Sequence, residues 1–169
     1  MRYTPAALAL ALLGAVTASV SYSAPPTAPS DPRAVALVAQ GRAELSAGRA
    51  DSAVDAFEAA LAVQPGSVSI YLALAEATRQ QGLQGKALHY YREALELDPQ
   101  NQLAIAGEGA ALVEKGAVEK ARRNLTRLQQ LCGGECAASQ QLAAAIAKGP
   151  ATRVVTAESV QSKPVVTPN

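Results

Sequence analysis

The sequence predicts an all-α fold, an array of helical hairpins, and three observations carry that prediction. A pattern of small residues, an aromatic and a proline recurs with a step of 34 residues. Ala and Leu are plentiful while Trp is absent, Phe occurs once and Tyr five times; that mix suits helices packed closely through small side chains. Pro65 and Pro99, one step apart, punctuate the copies where helices must stop, because proline lacks the N–H donor and clashes with the preceding turn.

The chain opens on a targeting pattern. Arg2 precedes an apolar run from Ala6 to Val20, interrupted only by Gly14 and Thr17. The run fits a signal-peptide core and is short for a membrane span, which needs roughly 20 apolar residues. Ser21 and Ser23 supply small residues for cleavage, so residues 1–23 are expected to be a signal peptide; the alternative is an uncleaved inner-membrane anchor through 6–20. Residues 24–33 hold Pro25, Pro26 and Pro29 and read as a linker.

Three copies follow, at 34–67, 68–101 and 102–131. Ala53, Phe57 and Ala60 overlay Ala87, Tyr91 and Ala94 without gaps, Gly41 overlays Ala75, and Gly48 overlays Gly82. Gly109, Gly116 and Ala121 take the matching places in the third copy. A period of this size marks a stacked helical array. Each copy is expected to be two antiparallel helices with a tight turn at Gly48, Gly82 or Gly116, where the missing Cβ relieves the backbone. Gly41, Ala75 and Gly109 would let the first helix approach the second, with Ala53, Ala87 and Ala121 reciprocating. Phe57, Tyr91 and Leu125 are expected between successive units. Asp31, Ser67 and Asn101 stand where helix N-caps belong.

Cys132-Gly133-Gly134-Glu135-Cys136 interrupts helix and predicts a bend over 132–136. Residues 137–149 read as a capping helix with Leu142 and Ile146 one turn apart, covering the last apolar face of the array. Gly149–Pro150 then stops the helix. Residues 150–169 read as a disordered tail, with the Val154–Val155 and Val165–Val166 pairs as candidates for strand addition to a partner.

The small–glycine–alanine–aromatic–alanine–proline pattern of the first two copies resembles the tetratricopeptide-repeat (TPR) family, from about Ala34 to Leu131. The third copy departs from it, with Leu128 in place of an alanine and Gly133 in place of the proline. The resemblance implies three tandem hairpins in a short right-handed superhelix, closed by the C-terminal helix. It also implies a peptide-binding concave face lined by the first helices. Carried over, that face comprises Val35, Val38, Arg42 and Leu45 from the first unit; Ser69, Leu72, Glu76, Arg79 and Gln80 from the second; and Leu103, Ala106, Ala110, Val113 and Glu114 from the third. Arg42 and Arg79 would meet a carboxylate and Glu76 a basic side chain, or Arg42 and Glu76 would pair with each other or face water. The Lys/Asn set with which TPR adaptors clamp a chaperone's terminal carboxylate is missing.

Composition narrows the function further. Lys and Arg total 15 against 14 for Asp and Glu, so no basic excess exists to neutralise a phosphate backbone, and a nucleic-acid partner is not expected. His89 is the only histidine, no Gly-x-Ser-x-Gly or phosphate-cradling glycine loop occurs, and Glu93, Glu96 and Asp98 beside Lys86 and Arg92 read as a solvated helix face. No catalytic residue, cofactor, small-molecule substrate or metal site is therefore expected. In an exported chain Cys132 and Cys136 would form a disulfide, worth about 2 kcal/mol for so short a loop; the alternative is redox or copper chemistry at the pair. The resulting expectation is a periplasmic or secreted protein-binding scaffold. Self-association is the further alternative, and membrane contact is expected only through an uncleaved N-terminus.

Overall fold

The computed structural model describes residues 31–150. The cleavage site or anchor, the linker up to residue 30 and the tail from 151 lie outside the described residues. Among the described residues there are seven helices and no strand: α1 Pro32–Ser46, α2 Ala50–Val63, α3 Val68–Gln80, α4 Gln84–Leu97, α5 Gln102–Glu114, α6 Val118–Cys132 and α7 Ala137–Lys148. They pair as three hairpins, α1–α2, α3–α4 and α5–α6, and α7 packs on both α5 and α6. Close backbone approaches join α1 to α3, α3 to α5 and α5 to α7, whereas the backbones of α2, α4 and α6 stay apart; α4 reaches α2 through long side chains, Lys86 and Tyr90 both meeting Glu58. The first helices therefore crowd one inner face, and the second helices splay on the outer one.

Local chemistry sets these boundaries. Gly48, Gly82 and Gly116 have φ of 75°, 76° and 84°, a conformation costly for any residue with a Cβ. Each lets the next amide reach back into the first helix: Arg49 N donates to Glu44 O at 2.9 Å, Leu83 N to Thr78 O at 3.0 Å, and Ala117 N to Leu112 O at 2.8 Å. This closure satisfies carbonyls that the helix end would otherwise orphan. The second helices stop just short of their prolines. Gln64 and Asp98 are already extended, with φ of −133° and −137°, because a following proline ring disfavours the helical conformation in the residue before it.

The N-caps are unequal. Asp31 accepts from Arg33 N at 2.8 Å and Asn101 Oδ1 from Ala104 N at 3.0 Å. Ser67 holds the cap position of α3 without a side-chain cap bond; its buried hydroxyl lies 3.2 Å from Ser69 Oγ instead. Since α1 starts at Pro32, the expected linker to residue 33 overruns the helix by two residues; Asp31 and the fixed φ of Pro32 nucleate it there.

Packing follows the small residues, with one correction. Phe57 is fully buried, and a Cβ at Gly41 would lie 2.4 Å from its ring. The same ring shares a core with Ile70, Leu74 and Ala77 of α3, so it fills both its own hairpin and the junction to the next. Tyr91 presses on Gly107 of the third hairpin, where a Cβ would lie 2.3 Å from the ring. Gly109, expected to admit its own partner helix, instead admits α7: a Cβ there would lie 2.6 Å from both Leu142 methyl carbons. Leu142, Leu128 and Ile105 are fully buried, and Leu125 and Ile146 pack against the same core. The capping helix thus takes the place that the first helix of a fourth hairpin would occupy.

Candidate functional site

A groove of about 400 Å³ opens on the inner face between α3, α5 and α7. Leu72, Glu76 and Arg79 line it from α3, Leu103, Ala106, Gly107 and Ala110 from α5, and Gln141, Leu142 and Ala145 from α7, with Tyr91 reaching in from α4. Through Arg79, Ala110 and Ala145 it continues into a wider hollow of about 870 Å³, bordered by Gln80, Glu114, Lys115, Lys148 and Pro150. The walls of the first groove are mostly apolar, with its charged groups concentrated at one spot, whereas polar and charged side chains make up about half of the hollow's lining.

That spot is a network built around Arg79. Its guanidinium donates to Glu76 Oε2 at 2.8 Å and Oε1 at 3.0 Å, and to Glu114 Oε1 at 2.6 Å across the helix junction. Gln80 adds a bond to Glu76 at 3.2 Å, and the Tyr91 hydroxyl donates to Glu76 Oε2 at 3.4 Å. Partial burial works to lower the Arg79 pKa, but the hydrogen bonds and charge of Glu76, with Tyr91 and Glu114, outweigh it and hold it above its ordinary value. Burial pushes the Tyr91 phenol up to about 12, and the Glu76 carboxylate adds to the shift. The cluster keeps the cation charged and the phenol protonated, and the network ties α3 to α5.

The structure gathers only part of the expected face into this groove. Leu72, Glu76, Arg79, Leu103, Ala106 and Ala110 line it, and Gln80, Val113 and Glu114 border the adjoining hollow. Val35, Val38, Arg42, Leu45 and Ser69 do not. Val38, Ala106 and Val113 are buried at 3%, 7% and 2% exposure, so they serve packing first. Leu45 packs on the first-junction core, Arg42 faces solvent, and Ser69 meets Ser67. Arg42 and Glu76 do not pair with each other: the Arg79 fork is filled by Glu76 and Glu114, and Arg42 stays in solvent. The contributions of Tyr91, Gly107, Gln141 and Ala145 were not legible in the repeat. For α7 the signal available was the Leu142–Ile146 spacing, which gives a covered face but not the groove beside it.

The cysteines end and begin helices. Gly133, with φ of 82°, reverses the chain after Cys132, and Cys136 precedes α7. The two Cα atoms are 5.9 Å apart and the sulfurs are joined at 2.03 Å. Ser139 Oγ donates to Gly133 O at 2.9 Å, tying the bend to α7. His89 is exposed on α4, 3.6 Å from Glu93, and the backbone of α4 approaches neither α6 nor α7 closely. Among the described residues no group of three or more His, Cys, Asp or Glu converges. None of their helices is long and apolar enough to cross a membrane.

Paired helices stacked in register, with an inner groove between first helices, define a helical-repeat protein. Comparison makes this specific: the tetratricopeptide repeat family model matches residues 38–102, which span most of the first two hairpins. The first TPR of Spaghetti (RPAP3), solved bound to the HSP90 peptide SRMEEVD, superposes with a TM-score of 0.62 at 20% identity, covering 70% of this chain and 94% of that one. The Sgt2 TPR domain from Aspergillus fumigatus gives 0.64 at 22%, covering 78% and 93%. The Arabidopsis OM64 TPR domain gives 0.62 at 16%, covering 69% and 95%. At these identities the likeness establishes the fold. No curated protein matches the chain.

Proposed function

We propose that this protein is a non-enzymatic scaffold that holds a partner protein by seating an apolar peptide segment in the groove between α3, α5 and α7. The observation that carries the reading is the wall chemistry. Leu72, Leu103, Ala106 and Ala110 offer apolar contact beside a charge network that is already internally paired. Leu103, 63% exposed, carries the apolar wall out to the rim of the groove. The similar structure that holds an HSP90 peptide shows the fold in a peptide-binding role. An acidic C-terminal peptide is nevertheless the wrong ligand here, because Glu76 and Glu114 already occupy Arg79 and would repel it. A segment with two apolar anchors and a Lys or Arg directed at Glu114 fits the groove better.

The setting we propose is the cell envelope or the secreted space. The apolar run Ala6–Val20 supports export, and a Cys132–Cys136 disulfide suits an oxidising compartment. The test is a photo-crosslinking residue at Leu72 or Leu103 in the native host, with Ala59 on the outer side of α2 as the control position. One defined protein captured from the two groove positions and not from Ala59 is the expected result. Capture of the chain's own copies alone would replace this reading with self-assembly.

A further inference from the structure

Charge is segregated along the array. Residues 31–114 carry six Lys and Arg against eleven Asp and Glu, whereas residues 115–150 carry six against two. Five of the latter six belong to α6 and the turn before it: Lys115, Lys120, Arg122, Arg123 and Arg127. The other side of α6 supplies Ala121, Leu125 and Leu128 to the core, so the cations are turned outward. Helical spacing sets Lys120, Arg123 and Arg127 in one row, flanked by Arg122. Lys120 and Arg123 are exposed and make no ion pair among the described residues. Arg122 meets only Glu119, at 3.7 Å in open solvent, and Arg127 reaches the Pro99 carbonyl. The repeat architecture does not demand this row: one and two steps earlier, the place of Arg123 is taken by His89 and Asp55.

We infer that the outer face of α6 docks electrostatically on an anionic bilayer surface. The face has cations spread along a whole helix and no aromatic anchor among Glu119, Lys120, Arg122, Arg123, Arg127 and Gln130. A protein interface of useful affinity needs buried aromatic or apolar anchors, whereas a sheet of lipid phosphates satisfies dispersed, mobile cations all at once. Nucleic acid fits less well, since the rest of the described chain is acidic and the face offers nothing to stack a base. Each Lys or Arg near such a surface raises partitioning roughly fivefold, so four together give a weak, salt-sensitive and orienting contact. Because α6 lies in the outer layer, that contact leaves the groove on the inner face open. The inference is independent of what the groove holds.

The test uses the full chain and co-sedimentation with phosphatidylcholine vesicles, with and without phosphatidylglycerol. The parent should bind the phosphatidylglycerol vesicles preferentially and lose the preference at high salt. The double variant Lys120→Glu/Arg123→Glu should bind them roughly 25-fold less or worse, with unchanged helicity and thermal midpoint because both side chains are exposed. The variant Asp55→Asn should bind as the parent does. Equal partitioning onto both vesicle types, or a double variant that binds like the parent, would overturn the inference. So would loss of an acidic protein partner in the double variant when neither vesicle binds.

Discussion

The junction between the first two hairpins and the junction between the second and third use one repeat position for different ends. At the first, the position holds Phe57, whose ring is fully enclosed by Gly41, Ile70 and Leu74. At the second it holds Tyr91, whose ring lies on Gly107 and whose hydroxyl reaches Glu76. The added oxygen has consequences. A buried phenol needs a partner, a half-buried carboxylate beside it needs a cation, and Arg79, so recruited, draws Glu114 from the next helix. A dry seam therefore becomes a groove with a polar corner, although the backbone pattern is the same.

Substitutions separate the two junctions, beginning with the largest effect. Phe57→Ala should lower stability by about 3–5 kcal/mol, since the enclosed site cannot collapse; urea unfolding measures it, and a loss near 1 kcal/mol would mean the first seam is not the tighter one. Leu142→Ala should cost about 2–4 kcal/mol, and hydrogen exchange should show α7 losing protection ahead of α1 and α2, which it does not touch. Tyr91→Phe should cost only about 1 kcal/mol at neutral pH but should change the alkaline limb. The phenol binds its proton more tightly in the folded state, so the parent's stability is held below its ordinary pKa of 10 and drains away as pH rises toward about 12. That loss is about 2 kcal/mol, and the phenylalanine variant should lack it. Last, Asn101→Ala should cost about 1 kcal/mol by removing a working cap, and Ser67→Ala a few tenths, since Ser67 makes no cap bond. Equal costs in thermal melts would erase the distinction between the starts of α3 and α5.

How far the sequence reaches is clear from these same residues. Turn glycines, prolines and the 34-residue step are local rules, so the hairpins, the bend at Gly133 and the extent of α7 could be read directly. The choice of partner for a small residue is not local. Gly41 and Gly109 share a repeat position, yet one faces Phe57 and the other Leu142, because the last hairpin has a different neighbour. The carried-over face reaches the groove only in part, for a related reason. Val38 and Val113 have the right helical phase, but close approach of neighbouring helices buries them, and phase alone does not report that distance. The Arg79 network depends on Glu114, 35 residues away, and no short-range pattern announces it.

The seating of Leu142 on Gly109 bears on how such a chain could change its repeat number. Arrays of this kind grow by duplicating a unit, and each new unit must find the surface its predecessor presents. A copy appended after α6 would need the site that α7 already holds, so it would have to displace the lid before it could stack. A copy of residues 68–101 inserted in tandem would leave both ends of the described array as they are, but at the new junction Tyr91 would meet Ala73 where it now meets Gly107, and Arg79 would meet Gln80 where it now meets Glu114. Lengthening at either place therefore asks for compensating changes at the seam it creates.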